Sequence, residues 1–92
     1  FEQGKIFLTV NQSAATESLR LLCEKITKQY SEFSNIVICL YTNNDTGREM
    51  ANGSASNIST EKKKESWLAM YTYNTVEGAY FDDNPGGYLG AY

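Results

Sequence analysis

The chain contains no histidine, and this absence removes both the commonest general base and the commonest zinc ligand of proteins. It has only two cysteines, Cys23 and Cys39, which lie too far apart for a CxxC metal or redox motif. Each lies in an apolar pattern, so we expect two buried free thiols rather than a disulfide. We predict no metal site and no cofactor.

Concentrated positive charge and long apolar runs are also lacking. The chain has 8 basic and 11 acidic residues, for a formal net charge of -3. Its one basic run, 62–64, is flanked by Glu61 and Glu65, which is typical of a solvated surface. Nucleic-acid binding requires a basic stripe, so we exclude that class. No segment approaches the roughly 20 apolar residues that span a bilayer, so we predict no membrane insertion.

The chain of 92 residues is long enough for one modest core and too short for two. We therefore predict a single small domain over residues 1–92. Because it begins at Phe1 rather than at a methionine, we interpret it as part of a longer protein and favour an exported or cell-envelope location. Four Asn-x-Ser/Thr sequons could accept glycans in such a location, although an Asn-rich chain produces some by chance. They begin at Asn11, Asn44, Asn52 and Asn57.

The first half of the chain predicts a strand, a helix and a second strand. Residues 5–10 alternate between the two faces of a strand. Apolar residues then recur every three or four positions from Leu19 to Phe33, which predicts an amphipathic helix of about 17 to 20 residues, with Ser13 as its N-cap. The continuous apolar run 35–42 is typical of a central strand covered on both faces.

The second half of the chain is less regular. Residues 43–66 are polar and contain turn signals, so we predict a long mobile loop there. Residues 67–74 predict a third strand. The remaining segment, 75–92, is rich in glycine and tyrosine, with a short extended piece at 78–81.

These elements predict an α+β fold, a two-layer sandwich in the order β-α-β-β. One amphipathic helix would pack on a three- to four-stranded mixed sheet, in which a right-handed crossover makes the first two strands parallel. The face under the helix would comprise Ile6, Leu8, Val10, Ile36, Ile38, Leu40, Leu68 and Met70. The opposite face would comprise Phe7, Val37, Cys39, Tyr41, Trp67, Tyr71 and Tyr73. Such an aromatic surface is too apolar to stay bare, so either the C-terminal segment or another molecule must cover it.

Seven of the twelve aromatic residues lie between Trp67 and Tyr92. Large rigid rings with polar tips suit contact with a protein, a peptide or a sugar. We therefore predict a non-catalytic protein-interaction or ligand-binding domain of a larger protein, which acts through the aromatic sheet face and the C-terminal loop. Its partner would be another protein or a second copy of the chain, as in a homodimer. The predicted binding residues are Trp67, Tyr71, Tyr73, Tyr80, Phe81, Asp82, Asp83 and Tyr88.

The acidic residues of the C-terminal segment leave two alternatives open. With Glu77, the pair Asp82 and Asp83 could belong to an acidic inhibitor or immunity-type protein that binds a basic enzyme, or to a small carboxylate-dependent hydrolase. Adjacent strand residues point to opposite faces, and this pair lacks the ligand pattern of a calcium loop, so we assign no catalytic and no metal residue. Residues 84–87 predict a type II turn.

Overall fold

The computed structural model of the chain describes residues 3–54 and 57–89 and shows an α+β sandwich built on one four-stranded mixed sheet. Its strands are β1 (Gln3–Val10), β2 (Asn35–Thr42), β3 (Trp67–Asn74) and β4 (Gly78–Asp82), in the spatial order β1-β2-β3-β4. The β1–β2 pair is parallel, and the β2–β3 and β3–β4 pairs are antiparallel. The predicted α+β class, the mixed sheet and the parallel pairing of its first two strands are therefore confirmed.

Helix α1 (Thr16–Gln29) forms the crossover between the two parallel strands. Its 14 residues are fewer than predicted, and its N-cap is Ala15 rather than Ser13. Ser13 instead belongs to a turn before the helix, where its backbone N–H and its hydroxyl donate to Asn11 Oδ1 at 2.9 and 2.7 Å. The apolar stripe of α1 faces the sheet, as expected of an amphipathic helix on a single sheet face.

The larger apolar cluster lies between α1 and the sheet, on the surface that we call the α1 face. Its buried members are Leu19, Cys23, Ile26, Ile36, Ile38, Leu40, Ala69 and Tyr71. Half-buried Ile6, Leu8 and Val10 of β1 pack against them. The predicted faces of the first two strands are therefore correct.

A β-bulge interrupts the pairing of β2 with β3. Leu40 pairs with Ala69, whereas the next residue of β2, Tyr41, pairs with Trp67. Leu68 is thus an extra residue in β3. An extra residue of this kind reverses the alternation of side chains on one side of the bulge.

The bulge overturns part of the predicted face assignment. Trp67 and Met70 lie together on the second face of the sheet, opposite α1, whereas strict alternation would separate them. Tyr71 and Tyr73 lie on the α1 face. The prediction was therefore wrong for Met70, Tyr71 and Tyr73, because a reading with period two assumes an unbroken strand.

The long mobile loop predicted over 43–66 is wrong. The described part of this stretch contains α2 (Asp45–Ala51) and α3 (Thr60–Ser66), and residues 55–56 lie outside the described residues. Asn44 caps α2 by accepting from the backbone N–H of Gly47 at 2.8 Å, and Ser59 caps α3. Asn and Ser favour both turns and helix N-caps, because their side-chain oxygens accept hydrogen bonds from nearby backbone N–H groups. Some of the residues interpreted as turn signals therefore begin helices.

The second face of the sheet carries a smaller cluster that the chain covers itself. Its buried members are Val37, Cys39, Tyr41, Trp67 and Met70. Half-buried Met50 and Ala51 of α2 and Leu89 of the C-terminal segment pack over them. The expected aromatic face is therefore an internal layer, covered both by the C-terminal segment and by a helix that was not predicted.

The C-terminal segment crosses back over this face through a 3-10 turn, Pro85–Tyr88. The predicted type II turn requires a positive φ at its third residue, but within the described residues only Gly53 and Gly78 have one. Pro85 stands at the start of the 3-10 turn, where its fixed φ suits a helical conformation. Residues 90–92 of the predicted C-terminal segment lie outside the described residues.

The two cysteines are free and buried, as predicted. Cys23 belongs to the cluster under α1 and Cys39 to the cluster on the second face. Burial raises the pKa of the Cys23 thiol to about 12 and also raises the pKa of Cys39. Both thiols are therefore protonated core residues rather than nucleophiles.

Candidate binding surfaces

The predicted binding residues do not form one site, because the structure distributes them over both faces of β3 and β4. Tyr71 pairs with Phe81, and Tyr71, Tyr73 and Phe81 all contact the cluster of the α1 face. Tyr80 and Asp82 are the alternate residues of β4 and point to the opposite side. Two separate surfaces result, one on each face of this half of the sheet.

Trp67 belongs to neither surface. Its side chain is 4% exposed, and its ring lies 6.3 Å from that of Tyr41, centroid to centroid, within the second-face cluster. A partner could not reach the indole without displacing the elements that cover it. The position of Trp67 therefore indicates a role in the core.

On the α1 face, one helix is too narrow to cover four strands. Four strands spaced by about 4.8 Å extend beyond a helix whose diameter with side chains is about 10–12 Å. A groove of about 400 Å³ remains beside the C-terminal half of α1, and we call it the α1–β3 groove. It is lined by Glu24, Thr27, Lys28, Ser31, Phe33, Tyr71, Tyr73 and Thr75.

Polar groups of α1 and β3 meet at one wall of this groove. The Thr27 hydroxyl donates to the Cys23 carbonyl at 2.9 Å and also bonds with the side chain of Tyr71. Burial and the nearby charge of Glu24 raise the pKa of Tyr71, whereas its bond with Thr27 acts in the opposite direction. The Tyr71 hydroxyl is therefore a neutral hydrogen-bonding group at the edge of the core.

Two exposed tyrosines, Tyr80 on the opposite face of β4 and Tyr88 in the 3-10 turn, bond to each other, and we call them the tyrosine pair. Tyr80 is 51% exposed and Tyr88 is 38% exposed. A hydrogen bond that the Tyr80 hydroxyl donates to Tyr88, together with the nearby negative charges of ionised Tyr88 and of Asp82, raises the pKa of Tyr80 to about 12. This bond links β4 to the 3-10 turn.

The acidic residues lie at the two ends of β4 rather than in one cluster. Glu77 is exposed in the turn before β4, and Asp82 ends the strand, which spans about 13 Å from Gly78. Asp82 Oδ1 accepts from the backbone N–H of Asn84 at 2.8 Å, which gives it a local structural role, and Asp83 is exposed. Over residues 3–54 and 57–89, no group of three or more acidic or cysteine side chains is arranged to hold a metal ion.

The strand β4 is also an open edge of the sheet. It pairs with β3 on one side, and no other strand of the described ranges pairs with its outer side. An edge of this kind presents outward N–H and C=O groups with which an added strand could bond.

The residues on the α1 side of the groove were not among the predicted binding residues. Glu24, Thr27 and Lys28 are spaced by three and one, so they lie on one flank of α1, beside the apolar stripe, and Ser31 follows just beyond the end of the helix. That spacing was readable from the sequence. What it could not show is that β3 places two tyrosine rings opposite this flank.

No protein-family model, curated protein or solved structure matches the chain. In the part of the chain that is described, none of the helices is both long and apolar enough to cross a membrane.

Proposed function

We propose that the chain is a non-catalytic protein-interaction domain of a larger protein, and that its contact surface is the open edge of β4 with the aromatic side chains on either side of it. The partner is an extended segment of another protein or β4 of a second copy. The main observation behind this proposal is that the tyrosine pair is exposed beside the outer edge of β4, with which no described strand pairs.

The proposal is supported by the way that β4 combines backbone and side-chain contacts. An added strand gains main-chain hydrogen bonds, and its alternate side chains contact the two faces of the sheet in turn. On one face they would meet Phe81, which is half-buried, and on the other they would meet Tyr80. Aromatic rings supply much of the binding energy in protein interfaces, so both faces of the edge favour a partner.

The two outer strands differ in their protection against unwanted pairing. β1 contains Lys5, and a lysine on an edge strand discourages the addition of another strand. β4 reads Gly-Ala-Tyr-Phe-Asp, with no lysine, no proline and a single charge at its end. Of the two open edges, β4 is therefore the better suited to accept a partner.

Self-association through β4 can be tested with the purified protein alone, because it needs no other partner. Two β4 strands would pair antiparallel about a two-fold axis, which gives the isologous interface of a C2 dimer. Sedimentation equilibrium over about a hundredfold range of concentration should show a reversible dimer. Tyr80→Lys, which places a charge beside the edge, should shift the protein to monomer, whereas Leu21→Lys should not, because exposed Leu21 lies on α1.

A monomer at every concentration would contradict the dimer and leave a different protein as the partner. Selection of extended peptides from a displayed library, with binding lost in Tyr80→Lys and kept in Leu21→Lys, would then support the edge as the contact surface. Peptides that bind both variants equally would place the interaction elsewhere on the domain.

The acidic-inhibitor hypothesis is a second proposal, supported by the net charge of -3 and by exposed Asp83, which directly follows β4. A basic partner would be bound mainly by charge, so its affinity should fall steeply as salt rises. Pairing along β4 depends on main-chain and aromatic contacts and should change little with salt. The same salt titration therefore distinguishes the two proposals.

A further inference from the structure

The α1–β3 groove lies on the other face of the sheet from the tyrosine pair and is not needed for pairing along β4. Its volume of about 400 Å³ falls within the range of roughly 300–1,000 Å³ that is usual for small-molecule sites. It is large enough for a compact ligand and lies at the small end of that range. The chemistry of its lining indicates which class of ligand fits.

The groove has aromatic rings among its lining. Tyr73 and Phe33 are half-buried and line the groove, so part of each ring is accessible from it. The ring of Tyr71 is almost fully buried and contributes mainly its hydroxyl. A ligand with a flat apolar face can therefore rest on Tyr73 and Phe33.

Around these rings, the lining is rich in hydroxyl groups. Thr27, Ser31 and Thr75 contribute three aliphatic hydroxyls, and the two tyrosines add phenolic ones. A hydroxyl both donates and accepts hydrogen bonds. The groove therefore matches a ligand that itself carries several hydroxyls around an apolar face.

The charged residues of the groove oppose each other. Glu24 and Lys28 stand one helical turn apart on the same flank of α1, and Arg20 bonds to Glu24 at 3.3 Å. An anionic ligand would be attracted by the ammonium group of Lys28 but repelled by the carboxylate of Glu24. A cationic ligand would be attracted by Glu24 but repelled by Lys28. A neutral ligand can use both, with the carboxylate as acceptor and the ammonium group as donor.

From these features we propose that the α1–β3 groove binds a neutral carbohydrate, with the apolar face of a sugar ring on Tyr73 and its hydroxyls on Glu24, Lys28 and the surrounding hydroxyl groups. The proposal concerns binding of the sugar and no chemical reaction. It is independent of the proposed pairing along β4.

Saturation-transfer NMR on the intact chain tests this site with a defined panel of neutral sugars: methyl α- and β-glucopyranoside, maltose, cellobiose and N,N′-diacetylchitobiose. We expect at least one disaccharide to bind, with a Kd at or below about 10 mM. Tyr73→Ala should weaken that binding at least about tenfold, because it removes the accessible ring. Glu24→Gln, which keeps the shape of the side chain, should weaken it less.

The matched control is Tyr80→Ala, which removes an exposed tyrosine from the opposite face and should leave the Kd for the sugar unchanged. Circular dichroism shows whether each variant is folded. If Tyr73→Ala is unfolded, the sugar affinity of Glu24→Gln still tests the site. Absence of saturation transfer from every sugar at about 10 mM overturns the proposal. So does equal binding by wild type, Tyr73→Ala and Glu24→Gln, or tighter binding of benzoate than of any sugar, since that would make Lys28 the centre of an anion site.

Because the sugar readout does not involve β4, its result is separate from that of the association experiment. Tyr80→Lys should lose pairing along β4 and keep sugar binding, whereas Tyr73→Ala should lose sugar binding.

Discussion

At the scale of single residues, Gly47 has the least room for a side chain among the glycines of the described ranges. A Cβ at this position would lie 1.7 Å from the backbone oxygen of Thr42 and 2.7 Å from its Oγ1. The first of these atoms is backbone and cannot turn away. The close approach of α2 to the end of β2 therefore requires glycine here.

We expect Gly47→Ala to lower the free energy of unfolding by about 3 kcal/mol or more, because α2 must move away from β2 to accept the methyl group. Urea denaturation measures this change. Gly87→Ala is the matched control, since nothing lies within 4 Å of a Cβ at Gly87 and its φ is not positive. It should change stability by no more than about 0.5 kcal/mol, and equal losses in the two variants would contradict the close approach.

The candidate surfaces were only partly predictable from single residues of the sequence. Tyr80 and Tyr88 were identified from sequence and are exposed, whereas Trp67 was identified for its size and is buried. Exposure depends on what covers a residue, and the residues that cover Trp67 come from α2 and from the C-terminal segment. No local pattern around Trp67 contains that information.

At the scale of elements, α2 depends on an N-cap that serves two donors. Asn44 Oδ1 accepts from the backbone N–H of Gly47 at 2.8 Å and from the hydroxyl of buried Thr42 at 2.7 Å. Ser59, the cap of α3, is exposed and accepts from the backbone N–H of Lys62 at 3.3 Å. Both cap residues are exposed, but Asn44 also holds the hydroxyl of a buried residue, Thr42.

We expect Asn44→Ala to cost about 2 kcal/mol of stability, since it removes the cap and leaves the buried Thr42 hydroxyl without its acceptor. Ser59→Ala should cost about 0.5–1 kcal/mol, the usual value for an exposed cap. Thermal and urea unfolding of both variants give the comparison. If Ser59→Ala proved as costly as Asn44→Ala, the second bond of Asn44 would contribute nothing.

The elements also show where sequence patterns carry structural information. The strand and helix of the first half follow from long apolar periodicities, and the short piece at 78–81 is found as β4, Gly78–Asp82. The helices α2 and α3 have seven residues each, too few for a clear periodicity. The bulge at Leu68 results from pairing with β2, so it is a property of two strands together and not of either sequence alone.

At the scale of the whole molecule, the sheet separates two clusters, and each contains a buried thiol and a buried phenol. Cys23 and Tyr71 lie on the α1 face, and Cys39 and Tyr41 lie on the second face. Burial is the largest cause that raises the pKa of all four groups, to about 12 for Cys23. Both clusters therefore depend on acidic groups that stay protonated in the folded chain.

The folded protein should accordingly lose stability at alkaline pH. A thiol in the unfolded chain ionises near its ordinary value of 9.0, whereas Cys23 in the fold holds its proton to about pH 12. Below pH 9 both states are protonated and this contribution to stability is fully present. As pH rises from 9 to about 12, the unfolded state releases protons first, so the free energy of unfolding falls.

Urea unfolding at intervals from pH 7 to about pH 11 should show a plateau followed by this decline. In Cys23→Ala the protein should be less stable at every pH because of the cavity, yet its decline above pH 9 should be shallower, since one of the titrating groups is gone. A control without a buried acid, Leu21→Ala on the exposed side of α1, should reproduce the slope of the wild type. An equal slope in Cys23→Ala and wild type would mean that the thiol on the α1 face is not held protonated by burial and that other groups account for the alkaline transition.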